Sequence, residues 1–353
     1  MRERRQIVEL FQRGDAVALA TLIHVEGSSY RRTGARVLIT ANGDYAGSIS
    51  GGCLEAEVIR KAGWLVRDGV TVQRYSTLFD DTAEIPFGLG CGGTVDVLLE
   101  PAGTPECAAL VAAMQASLLG ERRRILTQLP GSSVPFRRCI LDESGEHVFR
   151  SGTGLVDMAM PFFDEWLEPP QRLILFGAGD DAQPIVSMAA LLGWTTVVVD
   201  GRAQWARRER FFEAARVLAT SSLDGLVVTP RDAVVVMTHS YEQDRVWLAA
   251  VLPKRPRYLG LLGSRHRSAL LLSEVSSRLG WSLEETCESV FAPVGLDLGG
   301  DGAEAIALAT IAEVQACLEG KCGTSRRMKP EDISEQIAKG GASQYLQAGQ
   351  CAV

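Results

Sequence analysis

The sequence predicts an α/β protein in two parts, on three observations. The first is the stretch RLILFGAGDDAQPIVSMAALLGWTTVVVDGR, residues 172–202. Its apolar run Leu173–Phe176 has the continuous hydrophobicity of a strand buried on both faces. The turn Gly177-Ala178-Gly179 follows, then a helix-length segment with Ile185, Met188, Ala189 and Leu192 on one face, closed by Gly193. A second apolar run, Thr195–Val199, delivers Asp200. Strand, glycine turn, helix, strand and terminal acid is the order of a dinucleotide-binding βαβ unit. The second observation lies downstream. Strand candidates at 216–219, 233–238, 257–262 and 289–292 alternate with helix candidates at 206–216, 242–251, 265–279 and 303–318. Such alternation argues for a parallel sheet. The third is the region before residue 160, where short strands and helices interleave and Ala41-Asn42-Gly43 marks a hairpin. The expected fold is a C-terminal Rossmann-like doubly wound parallel sheet preceded by a smaller α/β domain with a mixed sheet.

In order, residues 2–13 form a helix with Ile7, Val8, Leu10 and Phe11 inward, and 16–25 a strand. Residues 36–40 and 44–49 are the arms of the hairpin. Ser50-Gly51-Gly52-Cys53 opens a helix in which Leu54, Val58, Ala62 and Leu65 recur at helical spacing. A strand at 70–75, a glycine-rich loop at 76–93 and a strand at 94–99 follow. A helix at 105–119, a strand at 124–128 and a hairpin through 142–145 complete the first domain. The expected division is an N-terminal domain over 1–160, a proline-containing linker over 161–171, the Rossmann-like domain over 172–320, and a peripheral tail over 321–353.

The 353 residues carry a formal net charge of −7, with 46% hydrophobic and 22% charged residues. The length suits two domains, and the acidic balance argues against nucleic acid as a partner. No apolar run reaches a membrane span. The opening residues MRERRQIVELFQRGD lack the apolar core of a signal peptide, so a cytoplasmic protein with no membrane partner is expected. The 8 cysteines are scattered, which disfavours disulfides and a structural zinc site.

Two cysteines stand out. Cys53 follows Gly51-Gly52 at the start of a helix, and Cys91 sits among Gly88, Gly90, Gly92 and Gly93. A helix N-terminus favours thiolate, and a glycine pair offers N–H groups to an anion. Either cysteine is equally a small residue filling a tight turn. Arg31, Arg32 and Arg36 form a basic cluster suited to phosphate, or a solvated loop. Gly177 and Gly179 would admit a pyrophosphate and Asp200 a ribose, which makes NAD(P) the cofactor this turn suggests. Against that, Asp180 and Asp181 would repel a phosphate. His239 ends a strand at the ligand edge of the sheet and is the best acid–base candidate of the 4 histidines. Ser264 and Arg265 follow a second strand-to-helix glycine turn at the same edge.

These segments together resemble the XdhC/CoxI family, the accessory factors of xanthine dehydrogenase-type molybdenum enzymes. The resemblance rests on Glu26-Gly27-Ser28-Ser29, Gly34-Ala35-Arg36, Gly47-Ser48-Ile49-Ser50-Gly51-Gly52-Cys53-Leu54-Glu55 and Gly90-Cys91-Gly92-Gly93 in the first part. In the second it rests on Phe176-Gly177-Ala178-Gly179, Asp200-Gly201-Arg202, Thr238-His239, Gly260–Arg265 and Pro293–Asp297. It implies a cytoplasmic chaperone that binds the molybdenum cofactor (a molybdopterin) and supports its sulfuration with a cysteine desulfurase. The chaperone then delivers the cofactor to an apo molybdenum hydroxylase. Cys53 and Cys91 become candidate molybdenum ligands or persulfide carriers. Gly51, Gly52, Cys53, Cys91, Gly92, Arg31, Arg36, Gly177, Gly179, Asp200, Arg202, Ser264 and Arg265 become the candidate cofactor-binding set, in a homo-oligomer, most simply a dimer. Two other readings stay open: an NAD(P)-dependent oxidoreductase using His239, and a sulfurtransferase using Cys53 or Cys91.

Overall fold

The computed structural model describes residues 1–27, 29–52, 54–76, 93–131, 135–152, 161–321 and 323. The chain divides into two compact units, Met1–Pro169 and Pro170–Arg326.

The N-terminal unit begins with α1 (Arg2–Phe11), β1 (Ala16–Gly27), β2 (Arg36–Thr40), β3 (Tyr45–Gly47) and α2 (Glu55–Leu65). It continues through β4 (Thr71–Ser76), β5 (Gly93–Pro101), α3 (Pro105–Leu118), β6 (Arg123–Gln128), β7 (Arg137–Leu141), β8 (His147–Arg150) and β9 (Phe162–Leu167). The expected mixed sheet is instead two sheets, ordered β3-β2-β1-β5-β4 and β8-β7-β6-β9, and their described pairs are all antiparallel. Hairpin connections such as Ala41-Asn42-Gly43 reverse the chain directly and leave no crossover to make a parallel pair. Alternation along β1 and β2 sorts two cores. Ala18, Ala20, Leu22, Val37 and Ile39 meet Leu54, Val58 and Ala62 of the α2 segment. Leu19 and Leu38 turn the other way, to Ile7, Leu10, Leu110 and Met114 of α1 and α3, which also carry Ile125, Ile140 and Leu167 of the second sheet. α3 starts where its chemistry says it should: Thr104 accepts from the N–H of Cys107, and Pro105 occupies the first turn.

Residues 162–167, expected within a linker, are strand β9, paired with β6 from Arg123↔Leu167 to Gln128↔Phe162. Pro161, Pro169 and Pro170 flank this strand rather than interrupt it.

A fully buried ion pair helps tie the two sheets. Arg138 on β7 donates Nη1 to Glu100 Oε2 at 2.7 Å and Nη2 to Oε1 at 3.0 Å. It also donates to the Glu106 carbonyl at 2.9 Å and to Thr127 Oγ1 at 3.3 Å. Both side chains are within 1% of complete burial. Burial disfavours the charge on Arg138, but the Glu100 carboxylate more than offsets this and raises its pKa.

The second unit holds β10 (Arg172–Phe176), α4 (Ala182–Leu191), β11 (Thr195–Asp200), β12 (Arg216–Ala219), β13 (Ala233–Val236) and α5 (Tyr241–Val251). β14 (Tyr258–Leu261), α6 (Arg265–Leu279), α7 (Leu283–Ser289) and α8 (Ala303–Leu318) complete it. Its sheet is ordered β12-β11-β10-β13-β14 and every pair is parallel. This is the expected Rossmann-like, doubly wound arrangement. Ile174, Phe176, Val197, Val199, Val234 and Val236 face Trp247, Leu248, Leu271 and Val275 of α5 and α6. Leu173, Leu175, Val198 and Val235 face Ile185 and Ala189 of α4 and Ala307, Ile311 and Val314 of α8. Each such aliphatic side chain contributes about 1.5–3 kcal/mol by burial. Two segments differ from the sequence reading. Residues 206–216 form only a 3₁₀ turn at Arg208–Arg210, where Arg210 turns inward to the carbonyls of Ala178 and Trp205 and Arg208 bonds the nearby Phe212 carbonyl. Residues 289–292 add only a bridge, Phe291 to Gly260, since α7 runs up to Ser289.

Candidate functional site

The N-terminal unit builds its most constrained turn from Gly47-Ser48-Ile49-Ser50-Gly51-Gly52. Its centre is Glu55, the first residue of α2, which is 5% exposed. Glu55 Oε1 accepts from the Ser48 hydroxyl at 2.7 Å and from the N–H groups of Ile49 and Ser50 at 2.9 and 2.6 Å. Oε2 accepts from the Ser50 hydroxyl and, at 3.0 Å, from the N–H of Gly52. The Ser50 hydroxyl oxygen in turn accepts from Leu54 N–H at 3.1 Å. The glycine nest expected to face an external anion therefore serves an internal one. Gly52 takes φ +108 to make the turn, and the Tyr30 ring lies over Gly51.

Burial alone would raise the pKa of Glu55. The hydrogen bonds from Ser50, Ser48 and the turn outweigh it and hold the group at about 2. A carboxylate depressed in the folded state adds stability above its ordinary pKa of 4.5, and this is lost as pH falls toward 2. The N-terminal unit is expected to lose on the order of 3 kcal/mol over that window from this group. Glu55→Gln should flatten that part of a pH–stability curve measured by urea unfolding. An identical slope in the variant would show that the turn does not depend on the carboxylate.

A cavity of about 550 Å³ opens beside the turn, lined by Glu3, Tyr30, Arg31, Gly51, Gly52 and Glu55 among others. A second, of about 410 Å³, shares Glu3, Tyr30 and Arg31 and adds Arg4, Arg32 and Arg36. Arg31 lines both cavities, and Arg32 only the second. Arg31 is ion-paired with Glu3, and both remain partly exposed. Arg36 is different: it is 6% exposed, paired with Glu165 and bonded to the Gly34 carbonyl at 2.9 Å. Its charge is spent inside the protein. Arg4 donates to Ser117 and to the Glu168 carbonyl, and burial together with the nearby Arg36 charge lowers its pKa to about 10. Cys53, Cys91 and Gly92 lie outside the described residues. Cys107, Cys139, Cys287 and Cys317 are free thiols, and no group of three or more metal-ligating side chains occurs among the described residues.

In the second unit Gly177 has φ +128, and a Cβ there would lie 2.2 Å from the Met237 carbonyl oxygen. Glycine is required by the close approach of β10 and β13. Asp200 is 1% exposed. It accepts from Ala178 N–H at 2.9 Å and Arg202 N–H at 2.9 Å, and from the Arg202 guanidinium at 2.9 and 2.7 Å. Burial opposes its charge, but these bonds prevail and lower its pKa. His239, with φ +60, holds Asp181 Oδ2 through Nε2 at 2.8 Å. Asp180 is paired with Arg210 at 2.7 Å. Ser264 caps α6 by accepting from Arg267 N–H, and Arg265 is exposed at the first turn of that helix. The structure thus gathers Gly177, Gly179, Asp200, Arg202 and His239 at one sheet edge. It gathers Arg31, Gly51 and Gly52 at the cleft of the other unit. Glu55, Glu3 and Arg210 had no assigned role in the sequence, and Asp181 was read only as a charge against phosphate. Glu55 carried a signal as an acid in the first turn of the helix that follows Gly51-Gly52.

Comparison with known families decides what kind of chain this is. A family model described as the XdhC Rossmann domain matches residues 173–314, and one described as the XdhC and CoxI family matches residues 10–76. The chain is a member of the XdhC/CoxI family. Among curated relatives, a probable xanthine dehydrogenase subunit of Bacillus subtilis is 29% identical over 86% of this chain and 94% of its own length. The molybdenum cofactor insertion chaperone PaoD of Escherichia coli is 28% identical over 88% and 86%. A crystal structure of a xanthine dehydrogenase from Bacillus halodurans superposes with a TM-score of 0.76. It is 27% identical and covers 93% of this chain and 99% of that one. No helix among the described residues of this XdhC/CoxI chain is long and apolar enough to cross a membrane.

Proposed function

We propose that this XdhC/CoxI chain binds the molybdenum cofactor, supports its sulfuration and delivers it to an apo xanthine dehydrogenase-type enzyme in the cytoplasm. The observation that carries this reading is similarity along nearly the whole length to a relative named as a molybdenum cofactor insertion chaperone. The cargo is a pterin with a dithiolene and a terminal phosphate, and the N-terminal cleft suits it. Arg31 and Arg32 line a wall where a phosphate can replace Glu3 as the partner of Arg31. Cys53, next in sequence to Gly52, and Cys91 supply soft thiolates for the metal or a persulfide for its sulfuration. A cysteine desulfurase as sulfur donor and a homo-oligomeric, dimeric chaperone complete the proposal.

The test is retention of purified cofactor through gel filtration. Wild type should co-elute with molybdenum, and the double variant Cys53→Ala, Cys91→Ala should retain at least about tenfold less, the loss expected for about 1.4 kcal/mol of ligation. Equal retention removes both cysteines from the site. Incubation with a desulfurase and cysteine, followed by peptide mass analysis, should place a persulfide on Cys53 or Cys91; its absence removes the sulfuration step.

A further inference from the structure

A Rossmann-like unit implies a nicotinamide dinucleotide, and the residues at this edge do not fit one. Such a ligand makes three demands. A pyrophosphate needs open space over the second glycine of the turn. Here a Cβ on Gly179 would meet Asp181 Oδ1 at 2.5 Å, so the Asp181 carboxylate is folded back over that glycine. Asp181 is held there by His239, at 57% and 13% side-chain exposure for the histidine and the acid. Oδ1 itself is buried and has no hydrogen-bond partner. A pyrophosphate also needs donors. The N–H of Ala178 is given to Asp200, and the N–H groups of Ala182 and Gln183 are given to the carbonyls of Gly179 and Asp180. The nearby cation, Arg210, is turned onto the carbonyls of Ala178 and Trp205 and onto Asp180. Two carboxylates against one guanidinium leave the turn net negative. A ribose, finally, needs free acceptors on the acid that ends the second strand. Both oxygens of Asp200 are filled twice over, by Ala178 and Arg202. Arg202, the cation nearest the position of a 2′-phosphate in such a site, has its charge matched by that same carboxylate and lies over the Trp205 ring at 5.3 Å.

We infer that this crevice excludes NAD and NADP, because Asp181, Asp180–Arg210 and Asp200–Arg202 take up the positions and bonds a dinucleotide would need. The carboxylates of the turn do most of this. A like charge about 4 Å from a phosphate, at an effective dielectric near 20, weakens binding by about three orders of magnitude. The inference stands on the second unit alone and is independent of the cargo proposed for the first.

The experiment is a titration of the full chain with NAD and NADP, in both redox states, followed by tryptophan fluorescence and calorimetry. Wild type is expected to show no saturation up to about 1 mM. Two variants isolate the cause. Asp181→Asn keeps the shape of the side chain and a hydrogen bond to His239 while removing the charge. Asp180→Ala, Asp181→Ala removes both carboxylates. Each should melt within a few degrees of wild type, and the double variant should gain at least about tenfold in affinity for NAD. A wild-type Kd below about 0.1 mM overturns the inference. So does a folded double variant with no gain, because the carboxylates would then not be what excludes the ligand. A gain in Asp181→Asn alone supports the inference and assigns the exclusion to charge rather than to bulk.

Discussion

Arg138→Ala is expected to destabilise the N-terminal unit by about 3–5 kcal/mol, the range for removing one partner of a buried ion pair. The loss comes less from the missing attraction than from Glu100, left charged at 0% side-chain exposure with no counter-ion. Three further bonds go with it, to Thr127, to the Glu106 carbonyl and to the second carboxylate oxygen. Glu100→Ala should cost a similar amount by stranding the guanidinium. The pair Glu100→Leu, Arg138→Met should recover much of the loss, since an apolar replacement needs no partner. Chemical denaturation of the four proteins in a double-mutant cycle measures the coupling. A single-variant loss below about 1 kcal/mol would mean that water reaches the pair and screens it.

Gly177→Ala is the second large effect, expected at about 3 kcal/mol or more against the second unit. The methyl would sit 2.2 Å from the Met237 carbonyl oxygen and 2.6 Å from its carbon, both backbone atoms. Neither can rotate aside, and a φ of +128 is itself unfavourable for alanine. Relief requires β10 and β13 to part, which breaks the Met237 N–H to Phe176 carbonyl bond of 2.7 Å. Gly145→Ala, in an open hairpin at φ +88 with nothing within 4 Å, is the control for conformational strain without collision. If the two lose the same stability in thermal unfolding, the close approach contributes nothing and strain alone explains both.

Much of the second unit was legible in the sequence. Leu173–Phe176, Val197–Val199 and Ala233–Val236 are apolar on consecutive residues, which suits a strand covered on both faces. α3 and α6 were legible as segments at 105–119 and 265–279, and the structure ends them with Thr104, Ser264 and Gly280. Residues 206–216 have enough helix formers to suggest a helix. What overrides them includes the pull of the distant Ala178 carbonyl on Arg210, which no local period records. The same holds for β9, whose partner β6 supplies Arg124 to Asp164 at 2.7 Å across forty residues of chain. The candidate sites were legible as residue types but not as allegiances. Arg36 looked like a phosphate ligand and belongs to Glu165, 129 residues away in sequence. Asp200 looked like a ribose ligand and is bonded to the glycine turn and to Arg202. A charge close in sequence to a glycine motif reads as functional until its partner is known, and the partner lies elsewhere in the chain.

The five hydrogen bonds on Glu55 carry a kinetic consequence. A loop that waits for its ligand's charge to order it must be folded anew at each encounter, and that ordering weakens and slows binding. This loop brings its own charge. The amides of Ile49, Ser50 and Gly52 already have their acceptor. In hydrogen exchange they should be protected in the empty protein as well as in the loaded one. A ligand in this cleft could then arrive and leave without the turn melting, as the chaperone role we propose requires.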